Sequence, residues 1–455
     1  MAFKDRSLDL TIGSLWSGIW YISWPMLLIM VFNFFVGFAD VYVAGFIGPE
    51  VQAAVGFVSQ FYFLIIIIAN AISIGTLALV ARAAGAGNAE KSLGIARQSL
   101  IFSVLVASGL TVTVLVFYKE IISLAGFPPD IQGIAEKFLR IFAFALGPNY
   151  VLIISSAVFR AAGDVKKPLL TTFLVSVINI IGDFVLVFGL FHVPKLGYTG
   201  IALSTAISVT VGMFINLFFF TQGRWQSFYV GPWNISLEIV RKIIVIGWPA
   251  ALLQIAWNAG TIILYTILGR LGTASVIATA SITNGLRIEA VIYLPAFALN
   301  MAASVLIGQN LGAGNTDRAG KVGWKIAQAG VILISFMAVA IFLCADNFAS
   351  LVTRNREVLE ETSRYLKINM LSEPFMALSS ILGGGLQGAG DTIGTMWVIS
   401  IAMWFIRLPL SYFLAVTLGY GALGVWVAMV ASMTCQGILM ALRFHRGRWK
   451  NLVVD

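Results

Sequence analysis

Apolar runs long enough to cross a lipid bilayer recur along this chain and constrain its fold more than any other feature. A membrane-spanning helix needs about 20 mainly apolar residues. Twelve runs satisfy this length, at 15–45, 53–80, 95–118, 136–159, 168–190, 199–220, 239–268, 276–306, 322–345, 358–384, 393–415 and 422–442. Charged residues are 11% of the chain, against about 25% in soluble domains. The sequence therefore predicts an all-α integral membrane protein with twelve transmembrane helices.

The distribution of basic residues between the short loops predicts the orientation in the membrane. Numbered from a cytoplasmic N-terminus, the inner segments hold 18 Lys and Arg residues and the outer segments hold nine. Because cytoplasmic loops carry the excess of Lys and Arg, we expect both termini in the cytoplasm of a multi-pass inner (plasma) membrane protein. The net charge of +9 is spread over these loops, so we expect no nucleic-acid partner. No signal peptide is expected at the N-terminus.

An internal repeat divides the chain into two halves. Gly85-Ala86-Gly87-Asn88 matches Gly312-Ala313-Gly314-Asn315 at an offset of 227, and Ala162-Gly163-Asp164 matches Ala389-Gly390-Asp391 at the same offset. Trp24-Pro25 matches Trp248-Pro249 at an offset of 224, as do Gly48 and Gly272. Four matches with nearly one offset indicate a duplication.

The repeat predicts the domain organisation. We expect an N-lobe at 1–221 with six spans, a cytoplasmic inter-lobe linker at 222–238 and a C-lobe at 239–455 with six spans. Six is an even number, so the two bundles have the same orientation and are related by a pseudo-two-fold axis along the membrane normal. This is the parallel-repeat arrangement of alternating-access transporters, whose substrate site lies between the lobes.

Two acidic residues of the N-terminal half lie inside predicted spans that contain no basic residue. Asp40 lies in the run FFVGFADVYVAG, and Asp183 lies in VINIIGDFVL. A charge at the bilayer centre costs roughly 2.5–3.5 kcal/mol on insertion scales. A buried carboxylate without a counter-charge takes up a proton or binds a cation. We therefore predict that Asp40 and Asp183 form a cation-coupling site for H⁺, or a metal site if the ion is Na⁺.

Neighbouring residues extend this predicted site. Asn179 and Asp183 are four residues apart and share one helix face. Both acids are expected in the outer half of the bilayer, where one pocket could hold them together. Pro25 lies inside the first span, and proline kinks a helix by removing a backbone hydrogen bond. Pro25 is therefore predicted to act as a hinge in helix 1.

The C-terminal half has a different set of charged residues within its spans. These secondary candidates are Arg287, Glu289, Glu373 and Arg407. Two acids and two bases can neutralise one another, so a structural role is an open alternative to a coupling role for this set.

The substrate and energy source are predicted from composition and from motifs. Aromatic residues are 13% of the chain and there are 13 Met. Aromatic faces attract cations and flexible Met side chains adapt to varied shapes, which favours amphiphilic organic cations as substrates in contact with membrane lipids. The GAGN loops lack the Lys-Ser/Thr of a phosphate-binding loop, so they predict tight turns. With no ATP-hydrolysing module, we expect an ion gradient to drive transport, with no cofactor besides H⁺ or Na⁺.

Several of these segments together resemble the multidrug and toxic compound extrusion (MATE) family. The resemblance is carried by Trp24-Pro25, VARAAGAGN, FRAAGD, NGLRIEAV at Arg287 to Glu289, and IGQNLGAGN at 307–315, and it covers all twelve spans. It implies two six-helix bundles in a V shape that export organic cations in exchange for H⁺ or Na⁺.

The resemblance also implies site residues. The branch with an acidic N-lobe has an aspartate in span 1, an Asn and an Asp in span 5 and a Thr in span 6. The matching residues here are Asp40, Asn179, Asp183 and, in ALSTAIS, Thr205. The family's kinking proline matches Pro25. A second branch has sodium-binding acids in spans 7 and 10, and here Glu373 alone matches.

Two other functions are open at this point. A lipid-linked oligosaccharide flippase of the same superfamily would need a basic cavity, and the spans hold four acids against two arginines. An intramembrane aspartyl protease would need a Gly-x-Gly-Asp motif, and Ile180 stands where its first Gly belongs. We therefore expect a monomeric, non-enzymatic antiporter, with H⁺ favoured over Na⁺ as the coupling ion.

Overall fold

The computed structural model describes residues 10–124 and 126–452, and all of its regular elements are helices. The expected cytoplasmic termini include residues 1–9 and 453–455, which lie outside the described residues. The first half contains α1 (Leu15–Ile47), α2 (Pro49–Gly85), α3 (Ala89–Ser123), α4 (Pro129–Ala161), α5 (Lys166–Phe188) and α6 (Tyr198–Phe219). A short 3₁₀ segment, Gly223–Phe228, follows α6.

The second half repeats this order with more interruptions. It contains α7 (Leu237–Gly269), α8 (Ser275–Gly312), α9 (Thr316–Leu343), α10 (Ala345–Val352), α11 (Arg356–Asn369), α12 (Glu373–Gly388), α13 (Thr392–Ser400), α14 (Leu408–Tyr412) and α15 (Ala422–His445). A π-helical turn, Ile401–Arg407, joins α13 to α14, and a second one, Phe413–Thr417, extends α14. Residues 392–417 therefore form one continuous helical segment.

Eleven helical segments among the described residues are long and apolar enough to cross a membrane. The remaining predicted span, 358–384, is divided between α11 and α12 by a 3₁₀ turn at Met370–Ser372. Pro374 lies in the first turn of α12 and has no N–H to continue the ladder of α11, which accounts for the interruption. The all-helical membrane fold with repeated halves is confirmed, and the tenth span is a broken helix.

The helices group into two compact units. The N-unit comprises Leu28–Trp248, and the C-unit comprises Thr11–Leu27 together with residues 249–452. These ranges differ from the predicted lobes because the start of α1 packs within the C-unit and the start of α7 packs within the N-unit. The first boundary lies just after Pro25 and the second lies at Pro249, and α1 and α7 each continue as one helix through the proline.

Close backbone contact explains why the start of α7 belongs to the N-unit. A Cβ atom added at Gly75 of α2 would overlap the carbonyl oxygen of Ile243, and one added at Gly247 would overlap the carbonyl oxygen of Ala71. Ala71 and Gly75 on α2 and Gly247 on α7 are small residues that let the two backbones approach, as in other membrane helix pairs.

The segment predicted as an inter-lobe linker is bound to the N-unit along most of its length. Arg97 of α3 donates from Nε to the carbonyl of Phe228 at 2.7 Å and from Nη2 to that of Ser227 at 2.9 Å. Asp164 accepts from Arg224 Nε at 3.1 Å and from Trp225 Nε1 at 2.7 Å. The chain between α6 and α7 is therefore an ordered part of the N-unit.

The C-unit contains the counterpart of this arrangement. Asp391, which matches Asp164 in the repeat, accepts from Arg443 Nε at 2.8 Å and from Arg443 Nη2 at 2.7 Å. In each unit an aspartate in the turn before the fifth helix thus binds an arginine, Arg443 near the end of α15 in the C-unit and Arg224 in the 3₁₀ segment that follows α6 in the N-unit. The matching Ala-Gly-Asp segments that revealed the duplication therefore have the same structural task in both units.

Candidate functional site

Two carboxyl groups meet inside the N-unit, one from α1 and one from α5. The side chains of Asp40 and Asp183 lie close to each other. Asp183 is fully buried, and neither of its oxygens nor Asp40 Oδ1 accepts a hydrogen bond from a donor group among the described residues. An ionised carboxylate has no proton to donate. The two groups can therefore be hydrogen-bonded to each other only when one of them carries a proton.

Amide and hydroxyl groups surround this carboxyl pair. Asn179 Nδ2 donates to Thr205 Oγ1 of α6 at 3.2 Å, and Ser204 Oγ donates to the carbonyl of Asn179 at 2.6 Å. The side-chain oxygen of Asn179 is buried and accepts no hydrogen bond. The structure thus brings together all four residues predicted for the cation-coupling site, Asp40, Asn179, Asp183 and Thr205.

The approach of α5 to α6 depends on two glycines that the sequence analysis did not select. A Cβ atom at Gly182 would lie 2.5 Å from Ser204 Oγ, and one at Gly200 would lie 2.8 Å from the backbone of Leu186 and Val187. Gly182 directly precedes Asp183. A glycine next to an intramembrane acid is the sequence feature by which Gly182 could have been selected. Without a side chain at either position, the two helices can bring Asn179, Ser204 and Thr205 into contact.

No basic side chain of the described residues forms an ion pair with the carboxyl pair of Asp40 and Asp183, so the net charge of this site depends on the proton or cation that it binds. The ion pairs of the N-unit's described residues lie near helix ends, for example at Asp164, and none includes Asp40 or Asp183. The atoms without donors are carboxylate oxygens and one amide oxygen, the ligand type that hard cations prefer. The residues therefore fit either a proton on the carboxyl pair or a sodium ion held by Asp40, Asn179 and Asp183.

A second buried polar cluster lies in the C-unit, and we call it the Glu-Arg cluster. It consists of Glu289 and Tyr293 from α8, Tyr365 from α11, Glu373 from α12 and Arg407. Tyr293 Oη donates to Glu289 Oε2 at 3.1 Å. Tyr293 and Tyr365 were not predicted, although both are tyrosines within predicted apolar spans.

Arg407 is held inside the C-unit by two contacts. Its Nε donates to Ser432 Oγ of α15 at 2.8 Å, and its guanidinium carbon lies 5.1 Å from the ring centre of Trp257 in α7. Arg407 forms no ion pair with Glu289 or Glu373 among the described residues. A cation over an indole face is attracted by the ring quadrupole, so this pocket suits a permanently charged side chain.

Arg287 lies apart from the Glu-Arg cluster although it is two residues from Glu289. Its side chain is exposed and lines a separate recess with Thr283 and Asn284. The predicted set of two acids and two bases is therefore not found together, and the cluster contains two carboxyl groups and one guanidinium. Successive residues of a helix point in different directions, and spacing of two places these side chains on different faces.

Comparison with known proteins identifies the chain's relatives. The MatE family model matches residues 25–185 and 249–413, one match in each half. The chain is 27% identical over 436 residues to a probable multidrug resistance protein NorM of Thermotoga maritima, covering 93% of this chain and 91% of the relative. It is 25% identical to the uncharacterized transporter YisQ of Bacillus subtilis, covering 98% of both.

Solved structures share the fold. A crystal structure of a MATE protein in the bent conformation has a TM-score of 0.87 at 20% identity, covering 97% of this chain and 98% of that one. The MATE transporter ClbM in complex with Rb⁺ has a TM-score of 0.86 at 23% identity, covering 98% and 99%. Since the family match includes both repeats and most of the chain, this protein belongs to the MatE family of multi-pass membrane transporters.

Proposed function

We propose that this protein is an ion-coupled antiporter that exports amphiphilic organic cations by alternating access, with H⁺ as the coupling ion. The contact between Asp40 and Asp183 carries the proposal. It brings together the fully buried carboxyl group of Asp183 and the partly buried one of Asp40, and no basic side chain of the described residues pairs with either, so that a proton is the simplest bridge between them.

The coupling follows from the conditional charge of this pair. In the outward-facing state external protons load Asp40 and Asp183, which removes the negative charge that attracts a cationic drug. In the inward-facing state the protons leave, and the pocket regains its affinity for the drug. The membrane potential contributes about 2.3 kcal/mol per charge per 100 mV. Pro25 is proposed as the hinge in α1 that transmits the change in charge at Asp40.

The substrate class is supported by composition and by relatives. Aromatic residues and Met suit bulky cations of varied shape. Proteins with about a quarter identity over nearly the whole chain include probable multidrug resistance proteins. We place the protein in the inner membrane as a monomer with cytoplasmic termini, in contact with lipids and with no nucleic-acid partner.

Sodium is the alternative coupling ion. The oxygens of Asp40, Asn179 and Asp183 that accept no hydrogen bond suit a monovalent hard cation as well as a proton. The substitution Asp40→Asn is expected to affect the binding of the two ions differently. An amide oxygen can still ligate Na⁺ weakly, whereas an amide does not take up a proton near neutral pH.

The test is efflux of a fluorescent organic cation from proteoliposomes under a pH gradient or a Na⁺ gradient alone. We expect the pH gradient to drive transport by the wild type and not by Asp40→Asn. Asp317→Asn, at an exposed acid at the start of α9, is the matched control and is expected to transport normally. Normal pH-driven transport by Asp40→Asn contradicts the proposal, and transport driven by Na⁺ alone identifies the same pocket as a sodium site.

A further inference from the structure

A fully buried amide, Asn216 of α6, joins three helices of the N-unit. Its Nδ2 donates to Ser155 Oγ of α4 at 2.8 Å and to Ser156 Oγ at 2.9 Å. Its Oδ1 accepts from Thr171 Oγ1 of α5 at 2.7 Å. We call these four residues the Asn216 hub. The coupling described above makes no use of it.

We propose that Asn216 is a positioning residue for the coupling site. Through Thr171 it fixes the register of α5, and so the place of Asn179 and Asp183 inside the N-unit. This role rests on the proposed function, because it matters to transport only if the carboxyl pair couples transport. It applies equally to H⁺ and to Na⁺ as the coupling ion.

The hub gives α5 a second attachment to α6. At the level of the site, Ser204 Oγ donates to the carbonyl of Asn179 at 2.6 Å, and Asn179 Nδ2 donates to Thr205 Oγ1 at 3.2 Å. Thr171 lies eight residues before Asn179, which is about 12 Å along the helix at 1.5 Å per residue. A helix attached at one level can pivot about that point, whereas attachment at two levels also fixes its direction.

The sixth helix of the C-unit shows which residue stands at the position of Asn216. Glycines before, near the start of and after α6 all match glycines of the second half at an offset of 224. The pairs are Gly197 and Gly421, Gly200 and Gly424, and Gly223 and Gly447. In the first and third pairs both glycines have positive φ. The two sixth helices therefore match residue by residue, and Met440 of α15 replaces Asn216.

The other hub positions also lack polar side chains in the C-unit. At the offset of 227 given by the Ala-Gly-Asp segments, they hold Leu382, Gly383 and Val398. A Cβ atom at Gly383 would lie 3.5 Å from Met440 Cε, so these two matched positions are neighbours, as Ser156 and Asn216 are in the N-unit. The C-unit thus packs without a hub at this level, and a unit of this fold can form without one.

The C-unit has a polar link one turn earlier in its sixth helix, but that link omits the fifth helix. Gln436 Nε2 donates to Ser379 Oγ at 2.8 Å and joins α15 to α12. The matching residues of the N-unit are Gly212 and Leu152, and a Cβ atom at Gly212 would lie 3.2 Å from Leu152 Cδ1. Val398 has no polar side-chain group. The hub positions therefore link the fifth helix to the sixth in the N-unit and not in the C-unit.

The chemistry of the hub suits it to fixing a register. Hydrogen bonds are directional, whereas a flexible Met side chain fills space in many arrangements. Setting a register is the best-attested use of a single buried polar residue. Sliding or turning α5 would separate Thr171 from Asn216 and leave an unpaired amide oxygen in an apolar interior, which costs free energy. The hub thus resists displacement of α5, and apolar contact at Met440 does so less.

The test removes the α5 member of the hub by Thr171→Val, which puts the residue of the C-unit in its place. The pH dependence of cation efflux is measured in proteoliposomes. The carboxyl groups of Asp183 and of Asp40, which faces it from α1, are titrated in detergent by infrared absorption, with Asp183→Asn to identify the band. We expect the midpoint of both pH profiles to move by about one pH unit, the usual size of environmental effects on carboxyl titration. A merely structural residue would change the amount of folded protein and neither midpoint.

Three control variants are expected to keep the wild-type midpoints. Thr171→Ser keeps the hydroxyl on α5. Ser155→Ala removes a hydroxyl of the same hub without breaking the link to α5. Ser379→Ala breaks the polar link of the C-unit. An equal shift of the midpoint in Ser379→Ala would overturn the proposal, because the effect would then not depend on the hub.

A second variant keeps the proposal testable if Thr171→Val does not fold. Thr171→Val combined with Asn216→Met reproduces the residues that the C-unit has at both positions. Wild-type midpoints in either folded variant overturn the proposal. Failure of both variants to fold overturns it too, because the hub is then a requirement of folding. The infrared titration does not use transport, so failure of the proposed function is detected separately by efflux of the wild type.

Discussion

The carboxyl pair of the N-unit and the Glu-Arg cluster of the C-unit differ in the source of their positive charge. No basic side chain of the described residues forms an ion pair with either set of acids, but the interior of the C-unit also holds the buried Arg407. An acid pair without a resident cation must take its counter-charge from solution, and one with a resident cation need not. The comparison shows that the two copies of a duplicated fold surround their intramembrane acids with different groups.

The largest expected effect is on transport, which is expected to depend on the acids of the N-unit and not on those of the C-unit. Asp183→Asn is expected to abolish efflux driven by a pH gradient, because the remaining carboxyl has no partner with which to share a proton. Glu373→Gln is expected to retain gradient-driven efflux. Both are measured in proteoliposomes at matched protein levels. Loss of coupling in Glu373→Gln as well would remove the functional difference between the units.

A large effect on stability is expected from Arg407→Met. Removing one member of a buried charged group costs about 3–5 kcal/mol, because the other members remain buried without compensation. Arg287→Met, at the exposed arginine of the same unit, is the control and is expected to change stability little. The free energy of unfolding is measured in detergent. A cost for Arg407→Met no larger than that for Arg287→Met would argue against a buried counter-ion.

An intermediate effect is expected at the matched glycines of the two units. Gly200→Ala and Gly424→Ala both place a methyl group against the backbone of the preceding helix. Overpacking of this kind costs about 1–3 kcal/mol. Gly200→Ala is also expected to impair transport, since it separates α5 from α6 beside Asn179 and Thr205. Equal impairment by Gly424→Ala would show that helix spacing, and not the acid site, limits transport.

The smallest effect is expected at an exposed acid outside the membrane spans. The hydroxyl of Ser363, followed by Lys367, lowers the pKa of Asp346 from its ordinary value of 3.8. A lowered folded-state pKa means that Asp346 contributes stability above its ordinary pKa and loses it as the pH falls through the lowered value. The difference in unfolding midpoint between wild type and Asp346→Asn is therefore expected to be small near pH 7 and to vanish in strong acid. A difference that grows on acidification would contradict this sign.

Sequence patterns predicted most of the helices but not their irregularities. Apolar runs located the eleven described segments that are long enough to cross a bilayer, because a bilayer imposes a fixed length on any helix that crosses it. They did not reveal the 3₁₀ turn before Glu373 or the π turn that ends at Arg407. Hydrophobicity is the same on either side of such a turn, while the hydrogen-bond pattern that defines it depends on packing.

Residue chemistry selected Asp40, Asn179 and Asp183, and the family resemblance added Thr205. Their roles stay predictions, although the structure places all four together. Ser204, Gly182 and Gly200 were missed because a serine or a glycine in an apolar helix has no meaning until its neighbour is known. Tyr293 and Trp257 were missed for the same reason, since aromatic residues are common on every span.

The sequence by itself determined that the chain spans the membrane, that its halves are duplicated and that charged residues inside the spans require compensation. These properties follow from the free energy of transferring each residue from water to lipid, which is a property of the residue and its run. Tertiary structure alone decided which charges compensate one another. It buried Arg407 and left Arg287 exposed, and it brought Asp40 close to Asp183, because electrostatic energy depends on distance and burial and not on separation along the chain.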